Sequence, residues 1–367
     1  KPTVFIIPDG QQFHVRKGTV KKLKDKWFND EFNVIGIPGR IISEELAKKT
    51  MRTDETIDWE KAYCFFNSYQ WCSDIEMVRK HILGDDGKVM LFGGSGGGYL
   101  IHEYLTRYGD NVSRAFTYGA ANPFLDAKLG IITDTFYEEI EAMGSDYQKK
   151  LRKVLKDFEK ERPDLIMALS RQHYFLKAEE LTKAREDLID SLYNGNREYF
   201  EKIKKDYQVN AINDLMNSLQ GVGIRVRIYE IIQPLLNTFN QFGERIYPTM
   251  EMSCHIAQPL IQLSNKGKIP EHTMDLSKLK DLDTEVFILT GYEDKAAGYK
   301  SSIELSKIFK YCTIFIADDD HMFKNLNEAN LFNKTIITFF NYGLQSDKTK
   351  DLLKKLEPYR FKEHIQK

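Results

Sequence analysis

Little in this 367-residue sequence points to a metal, a membrane or a nucleic acid. The 4 cysteines, Cys64, Cys72, Cys254 and Cys312, show neither C-x-x-C spacing nor paired histidines. That argues against a zinc site or a disulfide framework and leaves only a single bridge open. Charge of one sign is also missing: 53 Lys and Arg stand against 54 Asp and Glu. No overall field therefore draws the chain to nucleic acid or anionic lipid. No apolar stretch approaches the roughly 18–20 residues needed to cross a bilayer, and no signal-peptide pattern is visible. The first residue is Lys1 rather than Met, and a strand-like run follows almost at once, so an upstream segment is expected to have been removed. A cytoplasmic location is expected, with export after signal removal as the alternative. What is present is enough apolar (42%) and aromatic (12%) side chain to bury a full core.

Short apolar runs alternate with helical patterns through the first third: VFII (4–7), NVIGI (33–37), KVMLF (88–92) and SRAFTYG (113–119). Continuous apolar strands in a β-α-β-α rhythm predict a mostly parallel sheet covered by helices on both faces. From 123 to 280 strand signals vanish and helical spacing takes over, as in Leu151, Val154, Leu155 and Phe158 or Leu181, Leu188, Ile189 and Leu192. The strand rhythm resumes with EVFILTG (285–291) and CTIFIA (312–317), followed by one helix carrying Leu326, Ala329, Ile336, Ile337 and Phe340. The expected plan is an α/β core in two parts, 1–122 and 281–367, interrupted by a large, mainly helical insertion at 123–280. The charged final residues read as a surface helix.

Between a strand and a helix lies FGGSGGG (92–98). A phosphate-binding P-loop needs Lys after its last glycine, and Tyr99 follows instead. A dinucleotide fingerprint would need glycine where Tyr99 stands. The pattern G-x-S-x-G fits as Gly93-Gly94-Ser95-Gly96-Gly97, in which a serine sits on a tight strand-to-helix turn and small neighbours let the two backbones approach.

A serine hydroxyl needs a base to take its proton and a carboxylate to orient that base. Each should follow a later strand. TGYEDKA supplies Asp294, preferred to its neighbour Glu293, and DDDH supplies His321. The other histidines fit less well: His14 and His81 precede the serine and His102 lies in the elbow helix. His173 and His255 fall in the insertion, His272 precedes the acid and His364 is in the tail. Three consecutive acids in a tight turn cannot converge on one ion, so DDDH is not read as a metal site. The developing oxyanion needs N–H donors. Gly96 is the expected one, with Gly10 or Gln11 of IIPDGQ as the second.

These pieces together resemble the α/β-hydrolase superfamily, and within it the serine aminopeptidases that include proline iminopeptidases. The motifs that carry the resemblance are IIPDGQ, IGIPGR (35–40), SYQWCSDIEMVRKHI (68–82), FGGSGGG, TGYEDKA and ADDDHMF, which cover 1–122 and 281–342. The insertion is similar to the cap of such enzymes in position and helical character. The resemblance implies Ser95 as nucleophile, His321 as base and then acid, and Asp294 as its orienter, with no metal or organic cofactor. It also implies cap carboxylates that hold a free amine, for which Glu230 and Glu251 are candidates.

Two departures bear on substrate. Pro8-Asp9-Gly10 stands where the family usually has His-Gly-Gly, and Gly96 follows the serine where its peptidases carry Trp or Tyr. The strands that normally precede the first one are expected to have gone with the upstream segment. The expected activity is cleavage of an ester or amide in a small molecule or short peptide, leaning to aminopeptidase. Carboxylesterase, lipase-like or acyltransferase chemistry with the same triad is the alternative. A non-catalytic small-molecule receptor and an interaction module are the readings from other classes.

Overall fold

The computed structural model describes every residue except 9–14, 16–17, 177, 241–244 and 363–367. Six strands form one sheet in the order β2-β1-β3-β4-β5-β6, and every neighbouring pair is parallel. They are β1 (Thr3–Ile7), β2 (Asn33–Gly36), β3 (Val89–Gly94), β4 (Val112–Tyr118), β5 (Glu285–Gly291) and β6 (Tyr311–Ala317). All four cysteines are free thiols. No helix among the described residues is long and apolar enough to cross a membrane.

Alternation along these strands builds two cores. Val4, Ile6, Phe92, Phe116, Phe287 and Phe315 face one side, where Phe28, Ile336, Phe339 and Phe340 cover them. Phe5, Ile7, Leu91, Ala115, Val286 and Ile288 face the other, against Trp71, Ile75, Leu100, Ile101 and Leu105. Phe116 and Phe287 are register partners on β4 and β5, and their rings stack at 5.2 Å. Such a double-sided sheet explains why its strands read as unbroken apolar runs rather than alternating ones.

Helices from Pro123–Leu129 to Pro248–Asn265 occupy the middle of the chain, with no strand among its described residues. They bury two further apolar clusters. One of these recruits the segment 40–66, whose role was not apparent from sequence. Ala62, Tyr63 and Phe66 pack with Val222, Val226 and Tyr229, and a Cβ on Gly223 would lie 2.2 Å from the Ile41 carbonyl oxygen. Arg40 fixes this segment to the helix below it through two 2.6 Å bonds to Asp74.

Two expectations near the end of the chain need correction. The single helix expected over Leu326–Phe340 is two, Lys324–Glu328 and Phe332–Tyr342. Asn330 separates them in the left-handed region at φ 55°, a conformation that asparagine tolerates and a helix interior cannot. The charged tail forms the helix Asp347–Leu356, but Leu352 and Leu356 are buried in the sheet core. Beyond it, Phe361 N–H donates to Ile316 O at 3.0 Å and Asp318 N–H donates to Tyr359 O at 2.8 Å. The tail therefore covers the carboxyl end of the β6 edge, which would otherwise present unpaired backbone groups.

Because Phe116 has 0% exposure and touches aromatic rings on three sides, Phe116→Ala is expected to cost about 3–5 kcal/mol. A chemical denaturation curve against wild type measures it.

Candidate active site

The chain leaves β1 for β2 on one side and returns to β3 on the other, so the sheet has its switch point between β1 and β3. Open α/β sheets place ligand crevices outside the strand carboxyl ends at such a point. Ser95 follows β3 there, at φ 50° and ψ −127°, a backbone conformation costing about 1–3 kcal/mol for a residue with a side chain. What holds it is close packing. Ser95 N–H donates to Tyr118 O at 2.9 Å, and a Cβ on Gly97 would meet Pro8 O at 2.3 Å. Glycine at 97 thus lets the helix Gly96–Tyr108 start directly against the end of β1. The Gly96 N–H lies in the first turn of that helix, where amides have no partner within the helix. The other expected donors, Gly10 and Gln11, lie outside the described residues, as do His14 and His364.

The loops after β5 and β6 bring Asp294 and His321 together. Tyr292 N–H donates to Ala317 O at 2.8 Å and Glu293 N–H to Asp319 O at 3.1 Å, lacing the two loops. Asp294 Oδ1 accepts from the Ala296 and Ala297 amides at 2.8 Å each, which fixes the carboxylate plane. Its Oδ2 lies 2.8 Å from His321 Nδ1. That contact places the ring proton on Nδ1 and leaves Nε2 as an acceptor. Glu293 does not share this contact. Two carboxylates of the DDDH turn are spent on its own backbone. Asp319 accepts from the amides of Asp320, Asn325 and Leu326 at 2.9–3.1 Å, and Asp320 accepts from Met322 at 2.8 Å. Gly119, at φ 50°, passes so close that a Cβ would stand 3.3 Å from the His321 ring. No group of His, Cys, Asp or Glu able to hold a metal ion occurs among the described residues.

Ser95, Gly96 and His321 line one cavity of about 420 Å³. Its described wall comes largely from the helical segment: Tyr174, Phe175, Ile228, Ile231, Ile232 and Met252, with one cation, Arg171. No Asp or Glu is among them.

The two carboxylates expected to hold an amine stand elsewhere. Glu251 pairs with Arg162 at 2.5 Å and 3.0 Å and lines a different cavity. Glu230 is 1% exposed and accepts from Ser68 N–H at 3.0 Å. It belongs to a buried ionic cluster that sequence reasoning missed. Arg227 Nη1 lies 2.7 Å from Glu103 and 3.5 Å from Glu230, and His272 Nε2 lies 2.8 Å from Glu103 and 3.1 Å from the Tyr99 hydroxyl. Burial alone would raise Glu103, but Arg227 and His272 overrule it and hold its carboxyl below the usual range. Burial would lower His272; Glu230 and Glu103 raise it instead. The Arg227–Glu230 spacing of three residues was the available sign, but Glu103 and Ser68 lie more than a hundred residues away and His272 more than forty.

Strand order, the serine turn after β3 and the acid and histidine after β5 and β6 define the α/β-hydrolase fold. No protein-family model matches the chain, and no curated protein matches its sequence. Solved structures align along most of it. An esterase from Exiguobacterium antarcticum aligns over 93% of this chain and 92% of its own, at 15% identity and a TM-score of 0.45. The putative non-heme bromoperoxidase BpoC from Mycobacterium tuberculosis aligns over 93% and 92%, at 12% and 0.46. A homoserine O-acetyltransferase from Staphylococcus aureus aligns over 96% and 89%, at 14% and 0.45. These likenesses concern the fold.

Further along the helix Gly96–Tyr108, His102 is 0% exposed and neither ring nitrogen has a hydrogen-bond partner among the described residues. Burial pulls its pKa down from 6.5 to about 4. Below pH 6.5 the unfolded chain takes a proton that the folded chain refuses until about pH 4, so stability falls as pH falls through that window. The full loss is about 3 kcal/mol. His102→Leu is expected to flatten the stability–pH curve between pH 6.5 and 4, measured by denaturant melts at half-unit steps.

Proposed function

We propose that this chain is a serine hydrolase that cleaves an ester or amide of a small molecule through Ser95, His321 and Asp294. The observation that carries the reading is the strained Ser95 sharing one cavity with a histidine whose Nδ1 is bonded to a buried carboxylate. In this reading His321 Nε2 takes the Ser95 proton as Oγ attacks the substrate carbonyl. The Gly96 N–H, with a second donor expected from Gly10 or Gln11, holds the tetrahedral oxyanion. His321 then gives its proton to the leaving group and an acyl-enzyme forms. Water activated by the same imidazole adds to the acyl carbonyl, and Ser95 leaves with its proton restored. Asp294 keeps the ring oriented and stabilises its charged form throughout. Residues 123–280 act as the cap, covering the site and excluding bulky substrates.

The described cavity wall supports an ester more than an N-terminal peptide. An exopeptidase of this type needs a carboxylate beside the free amine, and Glu230 and Glu251 are both engaged elsewhere. Apolar side chains dominate the wall instead.

A fluorophosphonate probe is expected to label wild type and not Ser95→Ala. A folded wild type that takes no label would favour a non-catalytic receptor. Asp294→Asn is expected to lower kcat by about 10³–10⁴ with circular dichroism unchanged, and Glu293→Gln by less than about threefold. Short-chain 4-nitrophenyl esters should turn over faster than aminoacyl-coumarin amides; the reverse order would return the exopeptidase reading.

A further inference from the structure

Arg171 ends the helix Arg162–Arg171 and lines the same cavity as Ser95 and His321. Only 6% of it is exposed. Its Nε donates to the Tyr207 carbonyl oxygen at 3.2 Å. The guanidinium carbon stands 5.2 Å from the Tyr174 ring centre and 5.4 Å from that of Phe175. Tyr174 in turn meets the His321 ring edge-on at 5.4 Å. The cation is thereby held two contacts from the catalytic imidazole. These interactions use Nε and the faces of the group. Among the described residues, neither Nη makes a hydrogen bond and no carboxylate pairs with Arg171.

That is an unusual state for a buried cation. Other buried arginines here are matched: Arg227 by Glu103, Arg185 by Glu139 and Arg79 by Glu76. Burial pulls the Arg171 guanidinium below its ordinary value, the mark of a charge whose solvation has been cut back with no counter-charge in its place. The end of a helix favours a cation and accounts for part of its stability, but not for two unused donor nitrogens at a cavity whose described wall carries no acid.

We propose that Arg171 is the recognition residue for a carboxylate carried by the substrate, so that the enzyme prefers esters ending in an acid group. The inference rests on the serine-hydrolase reading above. Two parallel N–H···O bonds from Nη1 and Nη2 fit a carboxylate, supply the missing counter-charge and orient the ester. The apolar residues Ile228, Ile231 and Met252 suit the short carbon chain between the two groups. The acid can sit on the acyl side or on the leaving alcohol.

Two sets of substrates separate those cases. Mono-4-nitrophenyl succinate, glutarate and adipate are compared with the butyrate, pentanoate and hexanoate esters, and 4-acetoxybenzoate with phenyl acetate. In wild type one set should favour the acid-bearing ester by about tenfold or more in kcat/KM, the range of a hydrogen bond to a charged group. Arg171→Met should bring that ratio to about one. Arg171→Lys, which keeps the stem and the charge, should retain part of it and carries the test if the Met variant does not fold. Ratios at or below one in both sets, or ratios equal in wild type and variants, would overturn the proposal. If no ester of either kind turns over, the hydrolase reading fails, and calorimetry with glutarate and benzoate decides the rest. Binding lost in the variants supports Arg171 as a carboxylate site; no binding to wild type removes it.

Discussion

The geometry around Ser95 depends on a backbone-to-backbone contact. The first turn of the helix Gly96–Tyr108 lies against the last carbonyls of β1, closer than any side chain at 97 would permit. Close packing there, with the Tyr118 carbonyl gripping the Ser95 amide, holds the serine in a conformation that it would leave in solution. The strain is supported by three interior strands of the sheet, β1, β3 and β4. A serine on a surface loop could not be kept in this state.

Charge management follows the same logic of support from elsewhere. Asp294 is oriented by two amides and the imidazole. Asp319 is neutralised by three amides of its own turn. Deeper in, two glutamates face one arginine and one histidine across the junction of sheet and helices. Removing any single member would strand a buried charge, whereas the intact group balances. His102 and His173 take the other route and stay neutral, their pKa values pulled down by burial.

Much of this was legible in the residues themselves. The strands announced themselves because a sheet covered on both sides needs apolar residues at every position. Ser95 was legible because only small neighbours allow its turn, and Asp294 and His321 because the fold puts each after a strand. What could not be read were relations across distance. Glu230 looked like one more helix glutamate, since nothing in its neighbourhood names Ser68 or His272 as partners. Segment 40–66 lacks a strong period of its own and finds its place only against Val222 and Val226. Arg171 resembles any cation at the end of a helix until its surroundings are known.

The ionic cluster also has a consequence for how a reactant could enter. Arg227 and Glu230 are on the helix Gln220–Ile232, while Glu103 is on the helix that begins just after Ser95. Swinging the whole roof away as a rigid door would tear opposite charges apart in a dry interior. A hinge at this point is therefore disfavoured, and the cavity wall at Phe175 is tied down as well, by Lys324 Nζ donating to its carbonyl oxygen at 3.1 Å.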